Sequence, residues 1–198
     1  MPIYNKDCSF INLPDNIQMI LSVGPLKTRK GMDILIKSFS KVIKIIKTGY
    51  LVIVGSGETR QYMDLAKLLG ISNYLRIINN ISSEQLSSLF YRCDLFALTP
   101  RYINHEFEGY GLVYLEAGLY KKPVVGSLSG GVPEAVINNE TGILVPEKDE
   151  RATAEAIIKI LKDRQLAERL GNNGFKLAVE RNWDDYIKKI INIYNKYK

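Results

Sequence analysis

Two glutamates with seven residues between them, Glu108 and Glu116, frame a glycine-bearing stretch that runs Glu106-Phe-Glu-Gly-Tyr-Gly-Leu-Val-Tyr-Leu-Glu-Ala-Gly118. Gly109 and Gly111 precede a nearly unbroken apolar run, Leu112, Val113, Tyr114, Leu115, Ala117 and Leu119, which predicts a helix buried on most sides. A carboxylate inside such a helix is costly unless hydrogen-bond donors meet it, so Glu116 implies a partner: a cation of the protein in a structural ion pair, or the hydroxyls of a ligand. Glu108 falls in the loop just before the helix, placed to accept hydrogen bonds from a polyol or to face a developing positive charge. The amides of Gly111, Leu112 and Val113 open the helix and suit an anion. One stretch thus offers a carboxylate to a sugar, bare amides to phosphate and a second carboxylate to a further hydroxylated ring.

A second candidate precedes it in the chain. Gly24-Pro-Leu-Lys-Thr-Arg-Lys-Gly31 places Lys27, Arg29 and Lys30 beside a predicted helix start, where free amides already favour negative charge. The spacing is not that of a P-loop, and a solvated basic turn is the plain alternative to a phosphate site. Val54-Gly-Ser-Gly-Glu58 begins like a dinucleotide fingerprint, but position 60 is Arg rather than the third glycine, and NAD is not favoured. Gly55 and Gly57 then permit either a tight turn or the close passage of a nucleotide. Gly130 and Gly131 allow similar close approach in the loop Ser127-Leu-Ser-Gly-Gly-Val-Pro-Glu134. The single histidine, His105, invites a catalytic role beside Glu106 and Glu108, yet an exposed loop histidine is the expected reading.

The elements that must position these residues are legible as a pattern. Short apolar runs at Met19–Val23, Tyr50–Val54, Tyr74–Ile78, Asp94–Leu98, Pro123–Gly126 and Gly142–Val145 alternate with segments of helical spacing, such as Ile34 to Ile46 and Met63 to Leu69. That alternation predicts an α/β fold with a parallel sheet flanked by helices, whose βα loops gather at the carboxyl edge where such sheets bind ligands. Gly49, Gly70 and Gly118 are expected as left-handed residues at helix ends. The last 50 residues predict three helices, Arg151–Leu161, Leu166–Val179 and Asp184–Tyr197, the middle one weakened at Gly171 and Gly174. Residues 1–17 read as a lead-in segment and 18–198 as one domain.

Composition narrows the classes. The chain has 198 residues, 46% hydrophobic and 24% charged, enough for a sizeable core and too apolar for disorder. Its formal net charge of +6 suits an anionic ligand, a nucleic acid or an acidic surface about equally. The basic residues lie scattered among acidic ones without an aromatic-basic stripe, which argues against nucleic acid. Cys8 and Cys93 form no CxxC pair, so neither a disulfide framework nor a structural zinc is indicated, and a cytoplasmic setting is expected. No run approaches the roughly 18 apolar residues of a membrane span. Asn80-Ile-Ser82 and Asn139-Glu-Thr141 match the glycosylation tripeptide, and without a secretory signal they read as chance matches.

Taken in order, these loops resemble the C-terminal, donor-binding domain of the GT-B retaining glycosyltransferases of family 4, the group 1 glycosyltransferases, over about residues 19 to 196. Glu108-Gly-Tyr-Gly-Leu-Val-Tyr-Leu-Glu116 is the most specific match, to that family's E-x7-E signature. Val23-Gly24 through Lys30-Gly31, Val54-Gly-Ser-Gly57, Cys93-Asp94-Leu95, Lys122-Pro-Val-Val125, Gly130-Gly-Val-Pro-Glu134 and Thr141-Gly-Ile-Leu-Val-Pro146 agree with it. The resemblance implies a Rossmann-like sheet forming one half of a GT-B fold, a UDP-, GDP- or ADP-hexose as donor, retention of configuration, and no metal or other cofactor. It implies that Lys30 binds the donor diphosphate with the amides of Gly111, Leu112 and Val113, that Glu108 contacts the sugar, that Glu116 binds the ribose, and that Gly55 to Gly57 lies near the nucleoside. Lys30 and Glu108 are the implied catalytic residues.

The sequence departs from the family in two ways. Many relatives carry arginine directly after the glycine of the first loop, where this chain has Pro25, so Arg29 or Lys27 must supply the second charge. The family also uses two Rossmann-like domains, and this chain has room for one; a donor-binding module that needs a separate N-terminal domain or partner subunit is therefore the alternative to a self-sufficient enzyme. A sugar-nucleotide epimerase, of related fold, fits the glutamate spacing less well. The acceptor, the base and peripheral association with a membrane stay open.

Overall fold

The computed structural model describes residues 8–14, 16–181 and 183–197, and for 183–186 and 189 the backbone alone. Six strands, β1 (Gln18–Val23), β2 (Gly49–Val54), β3 (Leu75–Ile78), β4 (Leu95–Leu98), β5 (Val124–Ser127) and β6 (Gly142–Val145), form one parallel sheet in the order β3-β2-β1-β4-β5-β6. Every residue of β2, β4 and β5 is buried, which is why those strands read as continuous apolar runs rather than alternating ones. The predicted third strand begins one residue late, because Tyr74 closes a 3₁₀ turn over Ser72–Tyr74.

Right-handed crossovers carry α1 (Met32–Val42) and α2 (Arg60–Leu68) across one face of the sheet, and α3 (Ser83–Arg92), α4 (Leu112–Leu119) and the short α5 (Val132–Ala135) across the other. Two of the C-terminal helices complete the layers: α6 (Glu150–Lys162) packs on α1, and α7 (Arg164–Glu180) packs on α4; α8 (Trp183–Lys196) follows. The core is the apolar filling between sheet and helices, with Phe39, Phe96, Met19, Leu35 and Leu51 among its fully buried side chains.

Several glycines serve a different purpose from the one expected. Gly70 is left-handed at a helix end, φ +70°, but Gly49 opens β2 and Gly118 lies inside α4. A Cβ at Gly118 would stand 2.7 Å from the Gly174 carbonyl oxygen, and one at Gly171 would stand 2.0 Å from that of Lys121. Gly171 and Gly174 therefore do not weaken α7, which runs unbroken. They let it approach α4 at backbone distance, and that contact outweighs their poor helix propensity.

The sheet reverses its winding between β1 and β4, since β2 and β3 follow on one side of β1 while β5 and β6 follow on the other side of β4. A crevice opens at the carboxyl edge of such a point because the loops after the two central strands lead away in opposite directions. Here those loops are Gly24–Gly31 and Thr99–Gly111. Among the described residues no helix is long and apolar enough to cross a membrane.

Candidate functional site

The loop after β1 closes as a 3₁₀ turn, Thr28–Lys30, and passes into α1 through Gly31, whose φ of +68° admits glycine readily. Gly31 is also held against the loop after β4. A Cβ there would fall 1.9 Å from the Thr99 carbonyl oxygen, the Thr99 hydroxyl donates to the Gly31 carbonyl at 2.9 Å, and the Arg101 amide donates to the Arg29 carbonyl at 2.8 Å. The Arg101 guanidinium, mostly buried, pairs with Asp33 in the first turn of α1 at 2.9 Å. Neither Arg101 nor Asp33 stands out in the sequence. Their one signal is position: an arginine just past the carboxyl end of an apolar strand, and an acid at a helix start.

These clamps bring the predicted cations to the first glutamate. Lys30 Nζ lies 2.6 Å from Glu108 Oε2, and Arg29 Nη1 lies 3.2 Å from the same oxygen. Lys30 and Glu108 are each only 8% exposed, so each needs the other's charge to offset its lost hydration. Arg29 extends outward to Glu106 at 3.5 Å on the exposed rim. Arg29 is thus a second cation at this cluster beside Lys30. Lys27 is exposed and makes no ion pair among the described residues.

The third glycine loop supports this cluster from behind. The Gly131 amide donates to the Glu108 carbonyl at 3.0 Å, and Cβ atoms at Gly130 and Gly131 would fall 2.2 Å and 1.8 Å from the carbonyl oxygens of Glu108 and Gly109. The paired glycines therefore answer to the backbone of the Glu108 loop. Gly55 and Gly57 are explained similarly. A Cβ at Gly55 would stand 1.8 Å from the Gly24 carbonyl oxygen and one at Gly57 2.9 Å from Leu26, while the Leu26 amide donates to Ser56 at 2.8 Å. Their lack of side chains lets the β1 and β2 loops meet at backbone distance.

Helix α4 begins at Gly111, φ +77°, with no side-chain cap, and α1 likewise begins without one. By contrast α3 carries a full capping box, Ser82 with Gln85, and α6 and α7 are capped by Asp149 and Asp163. The amides of Gly111, Leu112 and Val113 donate to no backbone or side-chain acceptor among the described residues, and Glu108 Cγ would be 3.7 Å from a Cβ at Gly111. Bare amides at a helix start attract an anion. They begin here beside the Lys30–Glu108 pair.

One expectation for α4 is corrected. The helix buries a single face, through Tyr114, Leu115, Ala117 and Gly118, while Leu112 and Glu116 are exposed. Burial is limited because Tyr114 takes the sheet side, donating its hydroxyl to the Leu98 carbonyl at 2.7 Å and setting its ring edge-on to Phe96, and α7 covers the Gly118 side. Glu116 is left on the rim of a groove of about 420 Å³ between α3 and α4, with Ser83, Leu86, Ser87, Phe90 and Tyr120. It has no hydrogen bond or ion pair among the described residues, and partial burial pushes its carboxyl above the ordinary value. Gly55 and Gly57 do not line this groove.

His105 sits at an exposed hairpin tip with Asn104, both at positive φ, closed by the bridge between Ile103 and Glu106. Its Nδ1 lies 3.1 Å from the Tyr102 hydroxyl. Among the described residues no three His, Cys, Asp or Glu side chains are grouped as metal ligands.

The family of glycosyl transferases, group 1, matches residues 6–177. A GDP-mannose-dependent alpha-(1-6)-phosphatidylinositol monomannoside mannosyltransferase of Mycolicibacterium smegmatis is 34% identical over 170 residues, covering 83% of this chain and 44% of its own. Sucrose-phosphate synthase of Thermosynechococcus elongatus superposes with a TM-score of 0.80 at 28% identity, over 96% of this chain and 47% of its own. The HepE protein of Anabaena, solved with UDP-glucose, shares the fold with a TM-score of 0.79 at 24% identity, over 92% of this chain and 50% of its own. The chain spans about half the length of the curated relatives it matches.

Proposed function

The chain belongs to the group 1 glycosyltransferases, and from that footing we propose that it binds a nucleotide-activated hexose at the switch point of its sheet and serves transfer of the sugar to an acceptor with retention. The observation that carries this reading is the convergence, at one crevice, of two cations, a buried carboxylate and an uncapped helix start, with a partnerless carboxylate one turn further along the same helix.

Each part has a role that follows from its chemistry. Lys30, Arg29 and the amides of Gly111, Leu112 and Val113 neutralise the diphosphate. When the bond from the sugar C1 to the phosphate oxygen breaks, its electron pair leaves with the nucleoside diphosphate. The charge that develops there is met by groups already in place. Glu108 faces the positive charge on the sugar, and the acceptor oxygen forms the new bond to C1 as its O–H bond breaks and the proton passes to the departing phosphate oxygen. Glu116 accepts hydrogen bonds from the ribose hydroxyls, which supply the partner it lacks within the protein, and the base lies toward the α3 side. The loop at Gly55 to Gly57 lies near the nucleoside. The donor is a UDP-, GDP- or ADP-hexose, and the GDP-mannose dependence of the mycobacterial relative makes a guanosine donor the first to try.

The acceptor requires more than this chain's crevice offers. We place it on an N-terminal domain or a partner subunit, for which α8 is the docking face: Ile187, Ile191, Ile193 and Tyr194 are each at least 50% exposed. Trp183 lies outside the residues whose side chains are described. The test is a panel of UDP-, GDP- and ADP-hexoses read by thermal melting. A donor at a hundred times its Kd stabilises the fold by about 2.7 kcal/mol, so one nucleotide series should raise the melting temperature by several degrees. No shift from any member would overturn the donor site.

A further inference from the structure

The ion pairs that make the site compact also stand in the way of its ligand. Both cations nominated for the diphosphate converge on one oxygen, Glu108 Oε2, at 2.6 Å from Lys30 and 3.2 Å from Arg29. A diphosphate arriving at those cations competes with a carboxylate already seated between them, and two anions at contact distance repel in a site that is mostly shielded from water. Resting on the donor-site reading above, we propose that Glu108 is an internal stand-in for the diphosphate. It neutralises Lys30 and Arg29 until a nucleoside diphosphate displaces it, and the displacement frees its carboxylate for the sugar.

The surrounding backbone confines this exchange to side chains. The Lys30 loop is pinned to the β4 loop by the Thr99–Gly31 and Arg101–Arg29 hydrogen bonds, and the Glu108 carbonyl is held by the Gly131 amide. The loops cannot separate to admit both anions without breaking these contacts. One further feature eases the swing: the Glu108 carboxylate is tied through Oε2 alone, since Oε1 accepts no hydrogen bond among the described residues. Lys30 reaches the crevice from a pinned loop, its aliphatic stem buried alongside Gly24. The cation therefore stays and the anion changes. Donor arrival and release of the carboxylate become one event, so Glu108 is drawn away from the phosphate side only when a diphosphate is present.

This exchange gives Glu108→Gln opposite effects on two readouts. The amide keeps the shape and an acceptor oxygen but removes the competing charge. Calorimetry with UDP, GDP, ADP and inorganic pyrophosphate should therefore show tighter binding in the variant, by about tenfold, equal to about 1.4 kcal/mol. Transfer from a nucleotide sugar should fall at the same time. Glu106→Gln is the comparison: its side chain is 62% exposed and pairs with Arg29 alone at 3.5 Å, so its effect on affinity should stay within about twofold. Equal or weaker diphosphate binding in Glu108→Gln overturns the exchange while leaving the donor site standing. Failure of all four probes to bind either protein removes the donor site and the exchange together. Should Glu108→Gln not fold, the unaltered protein decides: its carboxyl-¹³C-labelled Glu108 resonance must move on saturation with the tightest diphosphate, and a stationary resonance rejects the proposal.

Discussion

Replacing Gly131 by alanine isolates the support that the third glycine loop gives the site. Gly131 has φ −85°, ψ 7°, the negative-φ bridge conformation that non-glycine residues take at the third position of type I turns, so the substitution carries no left-handed penalty. Its main cost is one of space. The new Cβ would be 1.8 Å from the Gly109 carbonyl oxygen and 2.9 Å from its carbon, both backbone atoms that no rotamer change can move aside. Restoring ordinary contact requires the two loops to part by more than 1 Å, and overpacking of that kind costs about 1–3 kcal/mol. For a chain of this size the melting temperature should fall by roughly 2–12 °C. The displaced atoms lie between Glu108 and the α4 amides, so donor affinity should drop as well, and displacements near 1 Å in positioned groups cost up to about 100-fold in rate. Gly109→Ala is the matched control, because a Cβ there meets nothing within 4 Å and the variant should melt like the parent. Differential scanning calorimetry with donor titration measures both quantities. A Gly131→Ala protein with unchanged melting and unchanged affinity would refute the argument.

Other consequences follow from single contacts. Partial burial raises the Glu116 carboxyl above its ordinary value, so the folded chain holds that proton more tightly than the unfolded chain. The group's contribution to stability is present at acid pH and is lost as pH rises through the raised value. Glu116→Gln should melt higher than the parent at neutral pH, with the gap closing below the usual carboxylate range, and should bind donor about tenfold or more weakly; identical melting curves at both pH values, or unchanged affinity, would contradict this. Arg101→Met leaves Asp33 without its ion partner while keeping the backbone amide that holds the Lys30 loop, for a loss of roughly 1–3 kcal/mol in chemical denaturation, and full stability would show the pair to be idle. The Cys93 thiol is buried and pushed up to about 12, so thiol reagents at neutral pH should modify it only after unfolding, a point that mass spectrometry of labelled native protein decides. His105→Ala should leave the pH profile of transfer unaltered, since the ring lies on an exposed hairpin and among the described residues its hydrogen-bond partner is the Tyr102 hydroxyl.

Much of the architecture could be read from the chain because its two periods differ sharply. Fully buried strands leave uncharged runs such as Tyr50–Val54, and the amphipathic segments between them carry their polar residues in α1 and α2 where water meets them. Lys30, Arg29 and Glu108 stand out separately along the chain, by charge beside a helix start and by a signature spacing, and the fold sets them within hydrogen-bond distance. The glycines misled more often. Gly118, Gly171 and Gly174 look like helix breakers along the chain, yet their role depends on which backbone lies across from them, and no local pattern carries that. The same holds for Gly55, Gly57, Gly130 and Gly131, whose neighbours are distant in sequence. Glu116 was expected amid apolar packing because the residues around it are apolar, but Leu112 and Leu119 share its open side. Arg101 and Asp33 stayed hidden for a related reason: each looks like an ordinary surface charge until the loop after β4 folds over α1.

The site's assignment is tested most directly by a crystal structure of the chain soaked with the nucleoside diphosphate that raises its melting temperature. The account predicts phosphate oxygens within hydrogen-bond distance of Lys30 Nζ and the amides of Gly111 to Val113, ribose hydroxyls on Glu116, and Glu108 turned off both cations. A nucleotide bound elsewhere, or one that leaves Lys30 and Glu116 untouched, would contradict it.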